Sequence, residues 1–131
     1  MIKSYKIAFI LAALYGMTAV VLAAMGSHIF NIERGSVNYI LFNNAVIYQI
    51  LHAILILWLS TLKQKTFWIK SAIIAFILGV FLFCGGLYIM VVSGKTSLSW
   101  ITPLGGSLLV LGWLNLSISG FKKLLNPEDI M

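Results

Sequence analysis

The chain has 131 residues, of which 61% are hydrophobic and 9% charged, and its mean hydropathy is +1.04. A water-soluble domain carries roughly a quarter charged residues, and so short a chain cannot hide this much apolar surface in one core, so its solvent is lipid. The formal charge of +6 lies in short segments between apolar runs, which excludes a continuous basic face for nucleic acid; the single cysteine, Cys84, excludes an intramolecular disulfide.

Crossing the hydrocarbon takes about 20 mostly apolar residues, and four runs qualify. The first, 7–28, follows Lys3 and Lys6 and contains no Asp, Glu, Lys or Arg. It exceeds the ~7–15 residues of a signal-peptide core and reads as a retained span. Ala12, Gly16, Ala19, Ala23 and Gly26 alternate at intervals of four and three, a seam that lets a second backbone come close. Residues 29–43 form an outer loop in which Val37, Ile40 and Leu41 recur at helical spacing, suited to the interface as well as to a plain linker. The second span is 44–62. The third, 67–92, carries Gly79 and Gly86, with Ser93 just beyond, at intervals of seven and Gly85 beside them. Thr102-Pro103 predicts a helix N-cap followed by proline at the first helical position. The fourth span, 102–121, has Gly105, Gly112 and Ser119 at intervals of seven, with Gly106 adjacent. The polar tail 122–131 is expected to fray.

Backbone groups in lipid must pair within each segment, and a seven-residue repeat keeps one stripe toward a partner at a shallow crossing. The predicted fold is therefore all-α: a polytopic membrane protein forming an antiparallel four-transmembrane-helix bundle, a single membrane domain. Four spans put Lys3, Lys6, Lys63, Lys65, Lys70, Lys122 and Lys123 on one side, and Arg34 and Lys95 on the other. That asymmetry predicts cytoplasmic termini, with Trp68 at the inner and Trp100 at the outer interface.

The second span holds the polar residues that need a reason. At 100° per residue Asn44, Ala45, Tyr48, Gln49 and His52 share an arc of about 140°, while Val46, Ile47, Ile50, Leu51, Ile54, Leu57 and Trp58 fill the other side. The arc should face protein, because unpaired polar groups in hydrocarbon cost several kcal/mol. Read as a site, His52 carries a proton or ligand and is oriented by Tyr48 and Gln49. Read as structure, His52 bridges to another helix, with Asn115 or a backbone carbonyl as its expected partner. The three acidic residues, Glu33, Glu128 and Asp129, lie outside every span, so no relay can be completed with a carboxylate.

His28 and His52 could clamp a haem only at equal depth. His52 lies about 12 Å deeper at 1.5 Å per residue, so no cofactor is expected, and His28 reads as an interfacial anchor or helix cap. No metal site is expected either, since His28, His52 and Cys84 lack close ligand spacing. Asn115 shares the stripe of Gly112 and Ser119 and is expected to face another helix. No nucleophile–base pair, phosphate loop or paired carboxylate appears.

Four stretches together carry a resemblance: AAMGSHIF at 23–30, NAVIYQILHAILIL at 44–57, LFCGGLYIM at 82–90 and ITPLGGSLLVLGW at 101–113. They resemble the motifs of the small membrane proteins grouped as domain of unknown function 423, and are similar to the eukaryotic transmembrane protein 256 group. Asn44 and Ile47 stand where that family often has a charged or larger polar residue, and Cys84 or Gly86 where it often has serine. The resemblance implies four spans in a bacterial inner membrane, or in the mitochondrial inner membrane of a eukaryote, and implies no activity. The leading reading is a non-enzymatic accessory, assembly or structural factor, with the bilayer and a second copy or another membrane protein as its partners. The alternative is a small carrier or channel lined by Tyr48, Gln49 and His52.

Overall fold

A computed structural model of the chain describes residues 3–28 and 31–126. Four helices run through it: α1 Lys3–His28, α2 Val37–Thr61, α3 Phe67–Ser93 and α4 Ile101–Leu125. Each is long and apolar enough to cross a membrane, and no strand occurs among the described residues.

The helix ends differ from the sequence expectation where local chemistry outweighs hydropathy. The lysines of the first turn are already helical, so α1 starts at Lys3 and not at residue 7. α2 starts at Val37, so the second half of the predicted outer loop, from 37 to 43, is the first two turns of a continuous helix. Ser36 sets that start: it is extended, and its Oγ accepts from the Tyr39 amide at 3.1 Å, satisfying one of the orphan donors of a helix N-terminus. Gly35, at φ +83°, turns the chain into the cap. Thr66 caps α3 in the same way, accepting from the Ile69 amide at 3.3 Å. Gly94, at φ +65°, closes it by donating to the Met90 carbonyl at 3.0 Å.

The predicted Thr102 cap is not formed. α4 starts at Ile101, two residues before Pro103, behind Trp100, which offers no side-chain cap. Pro103 is accommodated because any of the first four amides of a helix lacks an intrahelical partner. The other end of α4 reaches Leu125 and takes in Lys122 and Lys123; 127–131 of the predicted tail lie outside the described residues.

Successive helices pack against each other through short connections and are antiparallel. α2 and α3 form the middle of the bundle, with α1 against α2 and α4 against α3. α1 only grazes α3, and the backbone of α4 comes close to neither α1 nor α2. The section is therefore an elongated rhomb rather than a square. The fully buried Phe76, Ile56, Leu59 and Val80 fill its centre, while Ile10, Val20, Leu51, Ile54, Phe81 and Val110 face outward, as lipid requires.

The glycine seams divide by partner. On α3 and α4 the two seven-residue repeats face each other. A Cβ on Gly79 would stand 2.6 Å from Leu109 Cδ2, one on Gly86 2.6 Å from Thr102 Oγ1, and one on Gly112 2.5 Å from Phe76 Cε1. A Cβ on Gly105 would overlap the Phe83 amide and stand 2.8 Å from Phe83 Cα, so here backbone meets backbone. Gly26 of α1 packs against the Phe42 ring, where a Cβ would stand 2.5 Å from Phe42 Cε1. Three expected packing glycines do less. A Cβ on Gly16 or Gly106 would make only ordinary contacts, the nearest at 3.9 and 3.5 Å, and Gly85 faces open space. Of the α1 seam, Ala12 and Ala19 are buried together with Ala8, while Ala23 is exposed.

Candidate functional site

Gln49 stands midway along α2, twelve residues from its start at Val37, or about 18 Å at 1.5 Å per residue. An amide at this depth has no water to fall back on. Its Nε2 donates to the Tyr15 carbonyl at 2.8 Å and to Thr18 Oγ1 at 2.7 Å, both on α1. Its Oε1 accepts from the Tyr88 hydroxyl of α3 at 2.7 Å. The Tyr15 hydroxyl completes the junction by donating to the Ile77 carbonyl of α3 at 2.8 Å, and Thr18 donates to Leu14 within α1 at 2.8 Å. One glutamine thus ties α2 to both α1 and α3.

His52, one turn further on, supplies the remaining tie. Its Nδ1 lies 2.7 Å from the Tyr48 carbonyl, and its Nε2 lies 3.2 Å from Trp113 Nε1 of α4. A carbonyl only accepts and an indole N–H only donates. The two contacts together therefore select the neutral Nδ1–H tautomer, with Nε2 as acceptor. The ring is buried, with the Phe76 ring centroid 5.3 Å from it and 5.6 Å from that of Trp113. Phe76 fills the gap between helices whose backbones do not meet, and Trp113 spans it. Among the described residues no buried side-chain nitrogen or oxygen lacks a partner.

The predicted arc is thus rotated. Ala45, Gln49 and His52 point inward, whereas Asn44 is exposed and Tyr48 is 42% exposed. Tyr48 orients His52 through its carbonyl, and its ring lies along the imidazole at 6.1 Å and against Phe83 at 5.0 Å. Asn115 is not the partner of His52. Its Nδ2 donates to Ser71 Oγ at 2.9 Å and fastens α4 to α3. Ser119 joins Thr66 across the same interface at 3.2 Å. His28 is the exposed last residue of α1 and stands apart from His52. Tyr15, Thr18, Tyr88 and Trp113 were not singled out in the sequence. The signal available was that each is a hydrogen-bonding residue inside an apolar span.

A shallow groove of about 190 Å³ runs beside this junction, lined by residues of α1 and α3 together with Gln49, and Cys84 and Gly85 form part of its wall. His52 is not among its lining residues. A second cleft, of about 400 Å³, lies at the end of the bundle that holds the α2–α3 turn, between Tyr5, residues 60–62, Lys63, Lys65 and Lys70.

Residues 22–106 match the family described as "Protein of unknown function (DUF423)". Over 116 residues the chain is 32% identical to a UPF0382 membrane protein of Haemophilus influenzae, covering 86% of this chain and 91% of that one. The chain belongs to the DUF423 family. A second relative, the UPF0382 membrane protein SAB0533 of Staphylococcus aureus, is 33% identical over 121 residues, covering 89% of this chain and 97% of the relative. The UPF0382 inner membrane protein YgdD of Escherichia coli K12 is 31% identical over 106 residues, covering 79% and 81%. No solved structure matches the chain. This DUF423 protein is accordingly an integral, multi-pass protein of the inner (cytoplasmic) membrane, in a family whose biochemical function is unknown and whose names indicate no enzyme. The matched region takes in Gln49, His52 and Tyr88, and leaves out Tyr15 and Thr18 before its start and Trp113 beyond its end.

Proposed function

We propose that this protein is a non-catalytic accessory unit of the membrane, a rigid four-helix body that acts by contact with another membrane protein or a second copy of itself. One observation carries the reading: the polar atoms of Gln49 and His52 are fully engaged by the protein's own helices. A general acid or proton carrier must exchange protons with substrate or water, and neither imidazole nitrogen is left over for that task. The lysine asymmetry supports placing the termini and the α2–α3 turn in the cytoplasm.

Purification in mild detergent followed by mass spectrometry tests this. A co-purifying membrane protein or a stable oligomer is expected. The groove that reaches Gln49 favours the carrier reading, in which a solute passes along the α1–α3 face. Reconstituted protein that moved a solute across liposomes, with the flux lost in Gln49→Leu, would replace the accessory reading with that one.

A further inference from the structure

The cleft of about 400 Å³ beside the α2–α3 turn gathers three lysines, Lys63, Lys65 and Lys70, around the ring of Tyr5 from α1. Among the described residues no carboxylate stands at this end. The sequence has three acidic residues; Glu33 is the one among the described residues, and it precedes α2 at the opposite end of the bundle. Lys65 is committed to the fold: its ammonium donates to the Leu62 carbonyl at the end of α2 and lies 4.0 Å above the Tyr5 ring centroid. Partial burial and the neighbouring Lys70 lower its pKa, as expected of a partly desolvated cation beside a like charge. The ammonium groups of Lys63 and Lys70 have no acceptor among the described residues, and both side chains are exposed at the rim.

We propose that this cleft is a binding site for a phosphate anion, held by Lys63 and Lys70 against the Tyr5–Lys65 floor. Two sources share that chemistry, the headgroup of an anionic phospholipid and a soluble phosphate. The position at a membrane-facing helix end suits the headgroup, since lysine pockets between transmembrane helices recognise anionic lipids through the phosphate.

The test compares two variants that each remove two charges from the same end of the molecule. Lys63→Gln/Lys70→Gln empties the cleft and leaves Lys65 in place. Lys122→Gln/Lys123→Gln removes charge from the last turn of α4, outside the cleft. Native mass spectrometry with added phosphatidylglycerol or phosphatidylcholine reads the affinity, and thermal unfolding confirms that both variants are folded. The wild type is expected to prefer phosphatidylglycerol, and the cleft variant to lose about thirtyfold in affinity, the value for two lysines at a membrane surface. The α4 variant should lose far less. Saturable binding of inorganic phosphate in phosphatidylcholine nanodiscs, lost in the cleft variant, would keep the site and assign it to a soluble anion. Equal losses in both variants, or a wild type with neither a preference for phosphatidylglycerol nor saturable binding of inorganic phosphate, would overturn the proposal.

Discussion

Replacing Gln49 by leucine keeps the volume of the side chain and removes three hydrogen bonds, two to α1 and one from Tyr88. Interhelical hydrogen bonds in membranes average about 0.6 kcal/mol each, so the three contribute about 2 kcal/mol. The Tyr88 hydroxyl then lacks its acceptor, and an orphaned donor away from water adds about 1–2 kcal/mol. A loss of about 3–4 kcal/mol is expected, large for one substitution. Asn44→Leu, on the same predicted arc but exposed, should change stability by less than about 0.5 kcal/mol. Unfolding in mixed micelles with increasing SDS, followed by near-UV circular dichroism, measures both. A double-mutant cycle of Gln49→Leu with Tyr88→Phe should give a coupling of about 0.6–1.7 kcal/mol. Gln49→Leu no worse than Asn44→Leu, or a cycle with no coupling, would refute the claim that Gln49 joins three helices.

Gly105→Ala places a methyl group against the Phe83 backbone and should cost about 1–3 kcal/mol; Gly85→Ala, facing open space, should be neutral or slightly stabilising by helix propensity, and thermal melts in detergent distinguish the two. Trp113→Phe deletes the donor to His52 and should cost about 1–2 kcal/mol, most of it absent when measured in a His52→Leu background. Cys84, the one cysteine, is buried, so the wild type should resist a membrane-impermeant maleimide in intact cells. On that silent background Ser97→Cys should label from outside and Gln64→Cys only after lysis; the reverse pattern would invert the topology.

The four spans and their antiparallel order were legible because length and hydropathy alone decide what crosses lipid. The start of α2 was not. Asn43 and Asn44 interrupt the apolar run, yet an exposed asparagine near a helix end costs little there, and the Gly35-Ser36 turn with its cap fixes the start seven residues earlier. The α3–α4 seam was legible in the seven-residue spacing of Gly79, Gly86, Gly105 and Gly112. Gly85 shows the limit of that logic: one residue of rotation, about 100°, turns a glycine from the partner to open space. The candidate site was half legible. Periodicity placed Gln49 and His52 inward, but their partners depend on which helices adjoin and at what depth. Trp113 read as one apolar residue among many, although its indole N–H carries the hydrogen bond from α4 to α2.

The central claim is that His52 is a structural tie and not a working group. Side-chain ¹⁵N NMR of the protein in bilayers tests it most directly. The expected result is one neutral Nδ1–H tautomer, with Nε2 accepting from the Trp113 indole and no exchange cross-peak to water. A ring in the Nε2–H tautomer, or one in contact with water, would contradict it.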